Sequence, residues 1–551
     1  MKLLIIGSVA AGTSVGAKVR RNDEDAVITI YDRDYDISYS GCGIPYFVGG
    51  EIADIDELTP RDAKWFKKRH NIDIHTRHEV VKVDHDSKTA TIKNLETGET
   101  FEDDYDTLVL ATGASSFVPP IPGVDADNVF SVRNIRNADA IRSHIEATDP
   151  KKAVIIGAGF IGLEMAEQLT YRGIDVTLIE RLPQVMPPLD SDMACRVEEH
   201  LEAKGVDVLT GETVVALEGE EMVKEVVLES GKRIMTDFVI LSVGVKPNVE
   251  LAKQIGVEVG KTGAIAVNER MQTNVPDVYA VGDVAESFSV ITGEAIYRPL
   301  GSTANKMGRI AGQVITGEDA AHRGVLGTGI FKAFDLTVAQ TGLTERDAIE
   351  AGFDVEVLHN IKPDRPEYLG GKEMVIKGIA DRATGRFLGA QIVGPQGVDK
   401  RIDVFATAIT FGAKAGDLFH LDLAYAPPFA TTKDPVLYTG MALDNAIKKR
   451  ARLITPQQLA KRIAAGEKIQ VIDTRSKAQF EKSCVDGAVH IPLGELRERS
   501  KDFDPASPTV VYCNKGVTGN AAQNVLRNLG FTDVYNLSGG NKNYQTSKRL
   551  F

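Results

Sequence analysis

Four cysteines occur in the 551 residues, at positions 42, 195, 484 and 513. They stand too far apart for a zinc ligand set or a disulfide framework, so each is read from its own surroundings. Cys42 lies in SGCGIPYFVGG, between two glycines and after polar residues, a poor setting for a buried core thiol. Cys513 ends the strand-like run TVVYC, and the loop Asn514-Lys515-Gly516-Val517-Thr518-Gly519 after it opens a helix. Backbone amides and a helix N-terminus favour an anion and lower the pKa of a thiol placed there. Cys195, in a helical run, reads as structural.

The elements that must position this chemistry come in two related copies. Residues 1–32 read as strand, tight turn, helix, strand. Gly7 and Gly12 hold the outer positions of a dinucleotide-binding fingerprint, with Val9 at the middle one and Ala10 and Ala11 following. Asp32 ends the second strand 20 residues after Gly12, where an acid meets a ribose hydroxyl. The second copy is complete: Gly157, Gly159 and Gly162 follow the strand Ala153–Ile156, and Glu180 ends the next strand 18 residues after Gly162. An acid at 180 favours the free 2′-hydroxyl of NADH, whereas Arg181 beside it offers a partner for the 2′-phosphate of NADPH. Two such folds in one chain suggest a flavin and a nicotinamide.

Further segments fit this order. YDTLVLATGA (105–114) ends in Ala111-Thr112-Gly113, TNVPDVYAVGDVAE (273–286) contains Gly282-Asp283, and LSVGVKPN (241–248) contains Gly244. They resemble signatures of the flavoprotein disulfide reductases with two dinucleotide domains. The resemblance implies that the first fold holds FAD, with Asp283 at the ribityl chain, and that Arg33, Phe160, Ile161 and Ala304 also touch cofactor. Ordinary members use a Cys-x4-Cys pair, but Ile37 and Phe47 stand five residues either side of Cys42. SGCGIPYFVGG therefore resembles the coenzyme A disulfide reductases and their single-cysteine relatives, the NADH oxidases and peroxidases. Peroxidase-like relatives carry a histidine at the position of Ala10, and its replacement argues for sulfur chemistry.

LDLAYAPPFATTKDPV (421–436) is similar to the segment in which these reductases supply a tyrosine to the cysteine of the other subunit, which implies a homodimer and a catalytic role for Tyr425. Tyr368, in PEYLGG, is the expected second tyrosine. A phenol here can protonate a departing thiolate. Coenzyme A carries phosphates, and Lys18, Arg20 and Arg21 end the first helix. The resemblance puts Ser14, Lys18, Arg21, Ser38, Gly41, Asn305 and Lys433 at substrate contacts, and His70 where the family has a basic residue.

The segment 445–452, NAIKKRAR, is a basic break. Beyond it, VIDTRSKAQFEKSCVDGAVHIPLGEL, TVVYC and NLSGGNKNY resemble a rhodanese, a sulfurtransferase domain, which implies that Cys513 carries persulfide. Cys484 falls where that family often has histidine and reads as structural. The expected fold class is α/β: two Rossmann-like dinucleotide-binding domains (FAD at 1–112 and 247–320, nicotinamide at 113–246), an α+β dimerisation domain (321–447), a linker (448–452) and an α/β rhodanese domain (453–551). The expected function is reduction of S–S bonds in coenzyme A disulfide, coenzyme A persulfide or polysulfide through Cys42, using NADH, FAD and coenzyme A. An NADH oxidase, or a carrier delivering sulfur from Cys513 to a protein partner, is the alternative.

Apolar residues make up 43% and charged residues 26%, ordinary for a globular protein. A net charge of −13 argues against nonspecific nucleic-acid binding. No run of 18 apolar residues and no basic n-region ahead of an apolar stretch are present, so a cytoplasmic protein free of membrane is expected. Four cysteines in so long a chain suit a reducing compartment, and no metal site is expected.

Overall fold

The computed structural model describes residues 1–449 and 451–551, so Arg450 of the expected linker lies outside the described residues. The chain divides into two compact units, 1–181 with 205–325, and 182–204 with 326–551.

In the first unit, near-continuous apolar runs become parallel strands buried on both faces. One sheet runs in the order Val278–Ala280, Thr107–Leu110, Lys2–Ile6, Val27–Tyr31, Asp73–His75, all neighbours parallel. Leu3, Leu4, Ile5, Ile28 and Ile30 fill its core. A second parallel sheet runs Asp207–Thr210, Asp175–Glu180, Lys152–Ile156, Phe238–Leu241, Val129–Ser131. The antiparallel pair Ala114–Ser116 and Val245–Pro247 carries the two chain crossings between these folds.

Two glycines show why the first fingerprint is spelled as it is. Gly7 has φ +108° and faces the Ala111 carbonyl so closely that a Cβ would stand 2.1 Å from its oxygen. A Cβ on Gly12 would stand 1.9 Å from the Gly7 carbonyl oxygen, so the helix Ala11–Asn22 can close onto its strand only here. The helix Gly301–Ile315 then lies across that first helix, with Gly308 against Ala11 and Ser14 and Gly312 against Lys18.

In the second unit, an antiparallel sheet runs Gly329–Ala333, Leu336–Gly342, Phe387–Gly394, Glu373–Asp381, Val355–Pro363. A parallel sheet runs Leu453–Ile454, Val534–Leu537, Thr509–Tyr512, Gln470–Asp473, Val489–His490. The α/β class and the succession of folds are as expected. The helix Ser191–Ala203 groups with the second unit. A buried ionic cluster lies at its N-terminal end. Lys377 Nζ, 1% exposed, lies 2.9 Å from Asp192, 3.1 Å from Asp190 and 2.7 Å from Glu345. Burial alone would push the Asp192 carboxyl up, but Lys377 and His359 hold it well below the usual range. Among the described residues no helix is long and apolar enough to cross a membrane.

Candidate active sites around Cys42 and Cys513

Cys42 sits in the single 3-10 turn Gly41–Gly43, which leads into the helix Ile44–Gly49 with Pro45 in its first turn. The thiol is exposed, yet protein crowds it at longer range, and burial followed by the charges of Glu164 and Asp283 pushes its pKa up. It is reachable but poorly solvated as an anion. Four residues on, Tyr46 donates its hydroxyl to Glu164 Oε1 at 3.3 Å. Burial pushes the Glu164 carboxyl up to about 7, partly opposed by this bond and reinforced by Glu167. Neither Tyr46 nor Glu164 was singled out in the sequence. A lone acid in the apolar stretch FIGLEMA was the available signal for Glu164.

The residues present fit a flavin nucleotide in the first fold. Asp32 closes its strand with Oδ2 accepting from the Ser8 amide at 2.8 Å and the Ser8 hydroxyl at 2.6 Å. Gly282, φ +80°, packs on Ala11 and Ala304 at distances a Cβ would reduce to 2.8 and 3.6 Å. Asp283 follows it in a one-turn 3-10 helix and pairs with Arg133 at 3.3 Å. Thr112 and Asn248 exchange two bonds of 2.8 Å, which holds Ala111-Thr112-Gly113 against the crossing strand beyond Gly244. Val9 and Ala10 are half-buried, and Arg33 is exposed beside Glu79 at 3.9 Å.

The second fold fits a nicotinamide dinucleotide. A Cβ on Gly157 would stand 2.5 Å from the Ser242 carbonyl oxygen, and one on Gly162 2.0 Å from that of Gly157. Gly159 differs: its Cβ direction points into open space at the N-terminus of the helix Phe160–Tyr171, a cradle that any side chain would fill. Ile161 is exposed at that terminus. Glu180 is buried and its Oε2 accepts from the Ala158 amide at 2.9 Å, while Arg181 is exposed.

The expected substrate contacts divide. Ser14 donates to Asn305 Oδ1 at 2.6 Å, so the structure brings these two together. Ser38 adopts a left-handed φ of +50°, and Gly41 is exposed. Lys18, also expected at a substrate contact, is buried and bonds Glu318 at 3.0 Å and Asn22 at 2.8 Å. Arg20 is likewise structural, because its guanidinium donates to the carbonyls of His70, Asp23, Glu24, Ala26 and Asn71. Positive charge gathers instead around exposed Arg21. Burial holds the His70 imidazole below its ordinary pKa, and Arg21, Arg69 and Arg61 add to this. Arg61 stacks 4.9 Å over the Trp65 ring.

In the second unit Tyr425 is 50% and Tyr368 77% exposed, the latter in the 3-10 turn Glu367–Leu369. Cys513 is buried at the end of its strand, and Gly516, φ +94°, turns the chain into the helix Val517–Asn528. Cys195 is buried, and burial pushes its thiol up to about 12, as suits a structural cysteine. Cys484 is partly exposed. No cluster of side chains suited to a metal occurs among the described residues.

Comparison with known proteins covers the whole chain. Residues 1–307 match the pyridine nucleotide-disulphide oxidoreductase family, 329–435 its dimerisation domain and 455–547 the rhodanese-like domain. A Pyrococcus furiosus protein named NAD(P)H sulfur oxidoreductase (CoA-dependent) is 41% identical, over 80% of this chain and 99% of its own. A Methanocaldococcus jannaschii protein named NADH oxidase is 40% identical, over 82% of this chain and 99% of its own. Among solved structures, reduced Bacillus anthracis CoADR-RHD has TM-score 0.96 and 38% identity, covering 100% of this chain and 98% of that one. An NAD-dependent persulfide reductase from A. fulgidus has TM-score 0.91 and 38% identity, covering 99% and 100%.

Proposed function

From the premise that the chain belongs to the pyridine nucleotide-disulphide oxidoreductase family and carries a rhodanese-like domain, we propose that it reduces the sulfur–sulfur bond of coenzyme A persulfide, polysulfide or coenzyme A disulfide at Cys42. The observation that carries this is a lone exposed thiol on a tight turn, in the same unit as two dinucleotide-binding folds and without a second cysteine on its helix.

FAD, held in the first fold, would supply two-electron transfer from the nicotinamide donor to sulfur. Gly7, Gly12 and Asp32 would hold its dinucleotide end, with Asp283 at the ribityl chain, and Gly157, Gly159, Gly162 and Glu180 would hold NADH. Cys42, as thiolate, attacks the substrate S–S bond and forms a mixed disulfide with coenzyme A. Its pKa is raised in the protein alone, so the chain's own groups leave thiolate formation to the ligands and to bulk pH. Arg21 and Arg61 supply the positive charge for coenzyme A phosphates, with the His70 imidazole held toward its neutral form beside them. Tyr425 and Tyr368 protonate the leaving thiolate across a homodimer interface, and the matched dimerisation domain supports the dimer.

An oxidase reading draws on the name of the Methanocaldococcus relative. Against it stands Ala10 at the position where peroxide-reducing relatives place histidine. Anaerobic NADH consumption by the holoenzyme with each sulfur acceptor, compared with oxygen and peroxide, decides between them. Turnover with oxygen alone would refute the sulfur reading. Steady turnover on a small persulfide without a protein partner would remove the sulfur-carrier alternative.

A further inference from the structure

The edge strand of the antiparallel sheet, Val355–Pro363, sets the Cys513 loop. The His359 amide donates to Ser538 Oγ at 2.7 Å, and its ring Nε2 lies 2.8 Å from Asp192. Ser538 begins the turn whose Gly540 presses on the Cys513 carbonyl, where a Cβ would stand 2.4 Å from the oxygen. The same carbonyl accepts from the Asn541 amide at 2.8 Å. The position of Cys513 is thus tied to the strand that carries His359.

Three residues further along that strand is Lys362. Its ammonium lies 3.9 Å from the centroid of the Tyr438 ring, and Lys433 lies 5.0 Å from the same centroid. Burial lowers the Lys362 pKa, Lys515 and Lys433 add to this, and only the Cys513 sulfur, as an anion, opposes it. Among the described residues no carboxylate stands within ion-pair distance of Lys362. Lys515, two residues after Cys513, is held instead by Glu373, which also takes Lys542 at 2.5 Å. Ammonium groups gathered round one ring, one of them partly buried and without an acid, favour an incoming anion.

We propose that Lys362 and Lys433, both supplied by the dimerisation domain, complete the rhodanese-like site by binding the anionic group of a sulfane-sulfur donor beside Cys513. This rests on the reading that Cys513 accepts sulfane sulfur. With thiosulfate, the Cys513 thiolate attacks the outer sulfur and the S–S bond breaks. Sulfite leaves with the bonding pair, and a persulfide anion remains on Cys513. Cyanide then removes the outer sulfur as thiocyanate and restores the thiolate, so neither NADH nor flavin takes part. The same lysines suit the phosphates of a coenzyme A persulfide.

The test is thiocyanate formation by the full-length holoenzyme without NADH, using thiosulfate, coenzyme A persulfide and pantetheine persulfide as donors. Lys362→Met is expected to raise the thiosulfate KM about tenfold, the scale of one lost charge-assisted contact. Lys362→Arg should keep most of the affinity, and coenzyme A disulfide reduction through Cys42 should persist in both as the check on folding. A rise for coenzyme A persulfide but not pantetheine persulfide would support binding of the nucleotide phosphates. A rise for all three donors would support binding at the sulfur-bearing anion. Unchanged KM for every donor, or transfer from none of them by the wild type, would overturn the proposal. Thiocyanate formation that survives Cys513→Ser would remove the reading of Cys513 itself.

Discussion

Replacing Glu164 by glutamine keeps the shape of the side chain and an acceptor for the Tyr46 hydroxyl but removes the charge that the fold opposes. The carboxyl is pushed from an ordinary 4.5 up to about 7, first by burial, against the Tyr46 bond and with help from Glu167. Two and a half units correspond to about 3 kcal/mol, and residual solvent access lowers the working figure to roughly 1–3 kcal/mol. The sign follows from proton counting. Between 4.5 and about 7 the native protein keeps a proton that the unfolded chain has released, so stability falls as pH rises through this window. Glu164→Gln should therefore melt like the wild type near pH 5 and roughly 2–8 °C higher near pH 8. The Cys42 thiol, whose pKa Glu164 also raises, should alkylate faster in the variant at pH 8. Scanning calorimetry across pH and mass spectrometry of iodoacetamide-treated holoenzyme give both readouts. The same melting difference at both pH values, with unchanged Cys42 alkylation, would refute the reasoning.

Glu180→Ala should narrow the preference for NADH over NADPH, with NADH KM rising about tenfold as the ribose hydroxyls lose their acceptor. A wild type already faster with NADPH in kcat/KM would show that Arg181 governs the choice. Lys377→Met leaves Asp190, Asp192 and Glu345 without their shared cation and should cost about 3–5 kcal/mol, seen as a melting transition lowered by about 10 °C. A shift under about 2 °C would mean that the cluster is not charged as drawn.

The two fingerprints were legible because each glycine answers a local demand, a positive φ at Gly7 and Gly157 or a helix–strand approach at Gly12 and Gly162. Cys42 was legible through its glycine neighbours and the missing partner five residues either side. Pairings across long stretches of chain were not. Nothing near Lys18 announces Glu318, 300 residues away, whose carboxylate its ammonium meets. Arg20 reads as one more basic residue until its five carbonyl partners are in place. Asp192 and Lys377, 185 residues apart, meet in a buried bond that neither segment announces. Lys362 belongs to no motif, and only the fold brings it and Lys433 to the Tyr438 ring.

The central claim is that Cys42 is the one sulfur through which electrons leave this chain. Anaerobic stopped-flow of NADH oxidation with coenzyme A persulfide, with sulfide counted at the end, tests it most directly in wild-type and Cys42→Ser holoenzyme. The account predicts about one sulfide released per NADH in the wild type, by the two-electron balance of thiol–disulfide exchange. Cys42→Ser should release none, although NADH still reduces its flavin. Sulfide release by Cys42→Ser at a rate near that of the wild type would contradict it.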